Sequence, residues 1–395
     1  MIPGELIVCY NRIEVAGSYY DFRLTEAGSL AAPAERTSRE MNIDWVDDWP
    51  ERRKRLEAFW HGDTIDRAAL QITAQVRPFP EIAHPDRLED RWTDIVYRLA
   101  QMDLGENLYY GGESIPNMWC NLGPGCTASF LGSSIDFKPD TCWFEHIVDD
   151  WDSFEFKIEP DNRWWNLIKD MTSGAVAASK GRYFVGHTDL SGVTDVLSHL
   201  RGPDKLCLDM LERSESVVRA RNAATKIWFQ LYNELYDIVN RDGAMEGSCS
   251  WMGIWHPGKT YPLQCDFSCM ISPGMFEEYV LPELVEQGRY LDNVIYHLDG
   301  PGAVQHLDAL LSTPEITGIQ WIQGSGGGPI LEWLPLLKKV QRAGKLLTCW
   351  ADMADARMLV EELSPRGLLL HMGCYGSKET VDEFIAYARK VATDR

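Results

Sequence analysis

The chain has 395 residues, with 45% hydrophobic and 25% charged side chains, enough to bury the core of one large α/β barrel or of two smaller domains. Its 38 Lys and Arg against 59 Asp and Glu give a formal net charge of −21, which repels phosphate backbones and anionic membrane surfaces. No apolar run approaches the roughly 18 residues that a membrane helix needs, and residues 6–10 are too short for a signal-peptide core. We therefore expect a cytoplasmic protein whose partners are neither nucleic acids nor membranes.

The ten cysteines do not form a compact repeating framework, and no Cys-x-x-Cys pair occurs. In a domain of this size such cysteines are usually reduced thiols that are buried or bind a metal. The sequence therefore does not indicate a disulfide scaffold, a zinc ribbon or a thioredoxin-like redox site.

The first 40 residues differ from the rest of the chain. Residues 5–14 resemble a strand, whereas residues 16–38 are small and polar without a sustained period. We expect residues 1–40 to be an extension of uncertain order and residues 41–395 to be one folded body. Hydrophobic periodicity predicts a helix over 50–60, a strand over 67–74, a helix over 88–102, long loops over 109–147, a helix over 162–179, a strand over 182–190, and one or two helices over 203–240.

The second half of the body alternates regularly between short apolar runs and helical patterns. The runs lie around 244–250 and at 293–297, 318–322, 345–349 and 367–371, and the helical patterns at 273–289, 303–312, 330–342, 354–363 and 377–392. This alternation is typical of parallel strands joined by crossover helices. Because no Gly-x-Gly-x-x-Gly or Walker-type phosphate loop occurs, we predict a (β/α)8 barrel rather than a nucleotide-binding sheet.

Two prolines punctuate the first of these helical patterns. Ser272 and Pro273 mark its beginning, with a capping hydroxyl followed by proline at the first helical position. Pro282 lies inside the same pattern, and because proline cannot donate a backbone hydrogen bond, we expect a kink there.

In a (β/α)8 barrel the active site lies at the carboxyl ends of the strands. The side chains at or just beyond the expected strand ends include Glu246, Cys249, His297, Asp299, Gln320, Trp321, Cys349, Asp352, His371 and Cys374. His297 and Asp299 are separated by one residue, so both side chains point the same way from an extended strand. With Cys374 they form three candidate ligands with one position left open, as catalytic zinc requires. The alternative is that His297 and Asp299 bond to each other or to the glycine loop that follows.

Asp266 lies just before the helix that begins at Pro273, where it could bind substrate, act as a base or cap the helix. The loop before it is too long for a tight strand–helix turn and is rich in aromatic residues, which is typical of a loop that lines a pocket. The candidate substrate-binding residues are Trp251, Trp255, His256, Tyr261, Gln320 and Trp321. The alternative is that the tryptophans pack in the core.

Two segments match a known family. The sequence Asp266-Phe-Ser-Cys-Met-Ile-Ser-Pro-Gly-Met-Phe-Glu-Glu-Tyr-Val-Leu-Pro282, followed by Tyr296-His-Leu-Asp-Gly300, resembles the uroporphyrinogen decarboxylase superfamily. A weaker similarity extends from Asp63 to the C-terminal helix. The resemblance implies a (β/α)8 barrel, in agreement with the strand–helix alternation.

The superfamily has two functional branches. Its decarboxylases use no metal and hold their substrate with arginines of an N-terminal motif, whereas this sequence reads Asp-Arg-Ala-Ala-Leu around Arg67. Its corrinoid-dependent methyltransferases bind zinc through a His-x-Cys pair and a distant Cys. His297 matches the histidine, Asp299 stands where the first cysteine would be, and Cys374 in Met-Gly-Cys-Tyr-Gly matches the second. The carboxylate makes the metal site harder than a thiolate would.

The resemblance thus implies a zinc-assisted methyltransferase or demethylase that passes a methyl group between a small substrate and a corrinoid. The chain has no Asp-x-His-x-x-Gly signature, so the cobalamin would be carried on a separate protein. His297, Asp266 and Glu246 are the expected catalytic residues, with Asp266 or Glu246 as proton acceptor. The alternatives are a metal-free lyase acting on a small carboxylate and a non-catalytic barrel that binds a small molecule. We also consider a homodimer.

Overall fold

The computed structural model describes residues 45–241 and 246–393, so the expected extension over residues 1–40 lies outside the described residues. The strands are β1 (Ala69–Gln75), β2 (Leu108–Gly112), β3 (Asn117–Trp119), β4 (Ile135–Phe137), β5 (Cys142–Phe144), β6 (Phe184–Gly186), β7 (Thr260–Gln264), β8 (Asn293–Asp299), β9 (Gly318–Ile322), β10 (Leu346–Trp350) and β11 (Leu368–Tyr375).

Helices fill most of the sequence between the strands. They are α1 (Trp49–Trp60), α2 (Leu88–Thr93), α3 (Ile95–Asp103), α4 (Thr127–Phe130), α5 (Arg163–Ser179), α6 (Val193–Arg201), α7 (Pro203–Glu212), α8 (Ser214–Val239), α9 (Pro273–Met275), α10 (Leu281–Tyr290), α11 (Leu307–Ser312), α12 (Leu334–Arg342), α13 (Met353–Glu362) and α14 (Lys378–Thr393). No helix within the described residues is both long and apolar enough to cross a membrane.

A central parallel sheet organises the fold. Its strand order is β2-β1-β11-β10-β9-β8-β7, and every pairing is parallel except that of β2, which runs antiparallel to β1 at one edge. Helical segments connect each strand from β7 to β11 to the next, which confirms the parallel strands and crossover helices predicted for this part of the chain.

Two further parallel strands, β3 and β6, pair with each other outside the central sheet. Within the described residues no backbone ladder joins β3 to β1 or β6 to β7. The side chain of Tyr261 connects β7 to the chain after β6: its hydroxyl donates to the Thr188 carbonyl at 2.9 Å and accepts from the Leu190 N–H at 2.6 Å. The structure therefore shows an α/β fold with a central parallel sheet, but no ladder that closes a barrel.

The prediction of a strand around 244–250 is wrong for the residues of this range that the structure describes. Among its described residues only isolated bridges form, of Ser248 with His256 and of Ser250 with His187. The strand of this repeat is instead β7, which is buried along its whole length. Small residues around Ser248 have a weaker tendency to form strands than the Thr-Tyr-Pro-Leu-Gln sequence of β7, which follows the tryptophan-containing loop.

The helical segment around Pro282 has the expected irregularity. A π-helical turn, Phe276–Val280, separates α9 from α10. Pro282 has no N–H to donate to the Glu278 carbonyl four residues earlier. The Arg221 side chain of α8 compensates by donating to the carbonyls of Glu278 at 3.1 Å and Tyr279 at 3.3 Å. The proline thus frees the Glu278 carbonyl, which anchors α8 through Arg221.

None of the nine cysteines that the structure describes forms a disulfide bond. Cys207 and Cys374 are half-buried, and Cys269 is exposed in the short 3₁₀ helix Asp266–Met270. The remaining six are buried in the packed interior, where a free cysteine behaves as a small apolar side chain.

A buried carboxyl group joins α10 to the beginning of α6. Glu283 is 1% exposed, and its side chain accepts hydrogen bonds from the Thr194 N–H at 3.0 Å and the Thr194 hydroxyl at 2.9 Å. Since the first N–H groups of a helix have no partner within it, Glu283 satisfies one of them. Burial raises the pKa of Glu283 to about 8.

This raised pKa makes stability depend on pH. Above pH 4.5 the unfolded chain releases the Glu283 proton, while the folded protein retains it up to about pH 8. The free energy of unfolding should therefore fall with rising pH between these values, by up to about 1.4 kcal/mol per pH unit from this group. We expect Glu283→Gln to flatten the fall, as measured by urea unfolding from pH 5 to 8. The exposed Glu277→Gln serves as the control, and an equal slope in both variants would contradict the assignment.

Candidate functional site

The candidate site lies at the carboxyl ends of β7, β8 and β9. The register of these parallel strands aligns Gln264, His297 and Gln320 at one level. Side chains at aligned positions share one face of a sheet, so His297 lies between two glutamines. The Nδ1 atom of His297 is 2.5 Å from the Oε1 atom of Gln320. With the amide oxygen as acceptor, Nδ1 of His297 donates this hydrogen bond.

Asp266, His297 and Asp299 form a compact cluster. Each offers one potential ligand atom, and these atoms all lie within 4.8 Å of one another. The Oδ1 atom of Asp299 is buried and has no hydrogen-bond partner. Gly324 leaves space beside it, because a Cβ atom there would lie 3.0 Å from this oxygen. The Trp251 ring meets the His297 ring edge-on, with centroids 5.3 Å apart.

Asp266 is held by a second carboxyl group. It begins the 3₁₀ helix Asp266–Met270, and the side chain of Asp195 accepts the N–H groups of Asp266 at 3.1 Å and of Phe267 at 2.8 Å. Gly192 makes this approach possible, since a Cβ atom there would lie 2.6 Å from Asp195 Oδ2 and 2.1 Å from the Gln264 carbonyl oxygen. The position of Asp266 is therefore set by the first turn of α6.

Acidic side chains dominate the surroundings of the cluster. Burial raises the pKa of Asp189 to about 6, and burial followed by repulsion from Asp266 also raises the pKa of Asp195. Part of the Asp266 side chain is accessible to solvent, but protein atoms surround its carboxyl group, and this desolvation raises its pKa. The charge of His297 lowers the pKa of Asp266, and that of Asp299 raises it further. Within the described residues neither Asp266 nor Asp299 forms an ion pair with Lys or Arg. Two carboxylates, one of them with an unpartnered buried oxygen, and an imidazole form a donor set that fits a divalent cation.

The structure brings five of the residues selected from the sequence together: Asp266, His297, Asp299, Gln320 and Trp251. Cys374 is not a member of the three-residue cluster. It lies on β11, paired with Thr73 of β1, and β10 and β9 separate β11 from β8 in the sheet.

Three predicted site residues lie instead at the amino ends of the strands, against α1: Glu246, Trp255 and His256. His256 Nε2 is 3.1 Å from the side-chain nitrogen of Asn293, the first residue of β8. The Trp255 Nε1 donates to the Glu246 carbonyl at 2.6 Å, and Arg53 of α1 forms an ion pair with the Glu246 side chain at 2.6 Å. These residues lie far from the cluster because they precede the amino end of β7, whereas the residues of the cluster lie at or beyond the carboxyl end of a strand.

Tyr261 and Trp321 also lie away from the cluster. The buried Tyr261 hydroxyl connects β7 to the segment after β6, as described above. Trp321 is fully buried and packs on Trp333, with ring centroids 4.5 Å apart. It follows Gln320 directly on β9, so its side chain points to the other face of the sheet. In this structure both aromatic side chains pack the sheet against its surroundings.

Asp189 and Asp195 are site residues that the sequence analysis missed. Asp189 lies at the end of the strand expected over 182–190, so the rule applied to the later strands would have selected it. Asp195 lies in the first turn of α6, and no local pattern reveals that its carboxyl group reaches a segment 71 residues away.

Comparisons with known proteins show the fold. No family model matches the chain, and no curated protein matches it. Among the solved structures that match is a methyltransferase from Methanosarcina mazei, with a TM-score of 0.55 and 12% sequence identity over 86% of this chain and 98% of that one. At this identity the likeness shows a shared fold, and the superfamily remains a resemblance carried by the two sequence segments.

The role of Asp195 can be tested by its removal. Asp195→Ala leaves the N–H groups of Asp266 and Phe267 without their acceptor, so we expect a loss of about 1–3 kcal/mol in the free energy of unfolding. Asp195→Asn retains a carbonyl acceptor and should lose less. Urea unfolding of both variants measures the difference. Equal stability of the alanine variant and the unmodified protein would show that this contact does not hold the 3₁₀ helix.

Proposed function

We infer that this protein is a methyltransferase or demethylase that passes a methyl group between a small molecule and a corrinoid carried by a partner protein. The observation that carries the proposal is the cluster of Asp266, His297 and Asp299 at the carboxyl ends of the strands. Two further facts support it: the chain shares its fold with a methyltransferase, and residues 266–282 and 296–300 resemble the corresponding superfamily. We extend the proposal to a closed (β/α)8 barrel and a cytoplasmic location.

A metal ion is part of this proposal, and the resemblance implies zinc. His297 and Asp299 would hold it, with Cys374 as the third ligand that the resemblance supplies. Once bound, the ion would act as a Lewis acid that polarises a thiol, methoxy or amine group of the substrate. Gln320 orients the His297 ring, and Trp251 forms a wall beside it. The Asp266 carboxyl group lies close enough either to take up a substrate proton or to bind the ion.

The transfer of the methyl group would be a nucleophilic displacement at the methyl carbon. In the direction of a thiol acceptor, the sulfur loses its proton to a carboxylate of the cluster and attacks the methyl carbon. The corrinoid of the partner protein would supply the methyl group and would keep the electron pair of its bond to the methyl carbon as the carbon–sulfur bond forms. In demethylation of a methoxy compound or an amine, the corrinoid would accept the methyl group, and a carboxyl group of the cluster would deliver a proton to the leaving group.

A metal-free lyase acting on a small carboxylate is the second candidate. The raised pKa of Asp266 favours it, because a carboxyl group with a raised pKa keeps its proton over a wider pH range and can serve as a proton donor. The charge of the site opposes it, since the Asp299 carboxylate lies beside Asp266 and would repel an anionic substrate. Methyl transfer to or from a neutral or cationic molecule fits this charge better.

The proposal is tested with methylcobalamin as donor and a panel of small thiols as acceptors, following the absorbance change as the carbon–cobalt bond is cleaved. We expect His297→Ala to lower the rate at least about 100-fold, because the ring connects the cluster to Gln320. The matched control is His61→Ala, which replaces an exposed histidine at the end of α1 and should retain the rate. Release of carbon dioxide from small carboxylates, without methyl transfer, would favour the lyase instead.

A further inference from the structure

The cluster of Asp266, His297 and Asp299 offers a second ligand set beside the one that the resemblance implies. We propose that this chain binds its metal through Asp266, His297 and Asp299, without Cys374. The site therefore takes a divalent ion that prefers oxygen and nitrogen ligands, such as Mn²⁺ or Fe²⁺, rather than a zinc ion bound by a thiolate. This inference deepens the proposed function, because the same cluster serves it, but it can succeed or fail separately.

The register of the sheet brings the three ligands together. Gln264 is aligned with His297, so Asp266, two residues beyond β7, comes level with Asp299 at the end of β8. Two ligands of one ion lie at most about 4.4 Å apart, since each metal–ligand bond is about 2.0–2.2 Å long. The potential ligand atoms lie within 4.8 Å of one another, so only small movements would bring them onto one ion.

One oxygen of the cluster requires a partner. Asp299 Oδ1 is buried and has no hydrogen-bond partner within the described residues. A buried carboxylate oxygen without a donor or a cation is costly, and buried polar atoms without partners are rare. A divalent ion bound by Asp266, His297 and Asp299 would place a positive charge beside this carboxylate. It would also screen the repulsion between Asp266 and Asp299.

The imidazole is prepared for the same role. Gln320 accepts from Nδ1 of His297, which fixes the ring and leaves Nε2 as the ligand atom. A hydrogen bond to the other ring nitrogen is the usual support for a metal-binding histidine. Gln320 is itself buried and lies at the same level as His297, so its position depends on the register of β8 and β9.

Cys374 is placed differently. It lies near the end of β11, aligned with Thr73 of β1, and β9 and β10 lie between β11 and β8. Removing the thiolate changes the chemistry of the donor set. Carboxylates with one imidazole suit Mn²⁺ and Fe²⁺, whereas thiolates favour Zn²⁺. Three protein ligands also leave coordination positions open for a substrate.

Metal binding by the full chain tests this inference. Titration with Mn²⁺, followed by electron paramagnetic resonance of the free ion, should give one site per chain. We expect Asp266→Asn to raise the Kd for Mn²⁺ at least about 100-fold and Cys374→Ser to change it less than about threefold. Asp308→Asn, which replaces an exposed aspartate on α11, is the matched control. Circular dichroism of each variant excludes misfolding as the cause of a loss.

Cobalt(II) gives an independent readout of the ligands. Without a thiolate ligand, the protein loaded with Co²⁺ should lack sulfur-to-cobalt charge-transfer absorption. Such absorption, lost in Cys374→Ser, would overturn the inference while leaving methyl transfer intact as the proposed function. Mn²⁺ binding that depends on Asp266, in a protein without methyl-transfer activity, would support the inference and defeat the proposed function. No Mn²⁺ binding to the unmodified protein would also overturn the inference.

Discussion

The parallel register of β7, β8 and β9 is the constraint on which the candidate site depends. It aligns Gln264, His297 and Gln320, and the residues two positions beyond the first two are Asp266 and Asp299. A shift of one residue between neighbouring strands would turn one of these side chains to the opposite face of the sheet. The apolar residues that alternate with them, which pack against the helices, therefore determine the position of the polar cluster as well.

Buried carboxyl groups transmit this arrangement to the helices. Glu283 accepts hydrogen bonds at the beginning of α6, and Asp195 in the same turn accepts the N–H groups at the start of the segment that carries Asp266. Each group satisfies N–H donors that secondary structure leaves unpaired. Since burial raises the pKa of both, the cohesion of this region depends on protonated or well-bonded carboxyls rather than on ion pairs with Lys or Arg.

Much of the fold, and the centre of the site, follow from local sequence patterns. The alternation in the second half of the chain predicted β8 to β11 and their helices, and the spacing of His297 and Asp299 placed them on one face. Glu246 was selected as a site residue because a strand was predicted around 244–250, and that strand would have placed it at the carboxyl end of the sheet. The strand of this repeat is β7, which follows Glu246 in the sequence. Asp195 could not be found, since its contact with the segment at Asp266 arises only when α6 packs beside β7.

The exposed thiol of Cys269 gives experimental access to this region. It lies on the same 3₁₀ helix as Asp266. It also packs closely against Gly302 in the turn after β8, because a Cβ atom on Gly302 would lie 3.1 Å from the Cβ atom of Cys269. Desolvation and the nearby carboxylates raise its pKa, so maleimide coupling should proceed best in mildly alkaline solution. A fluorophore or nitroxide attached there would report on ligand entry.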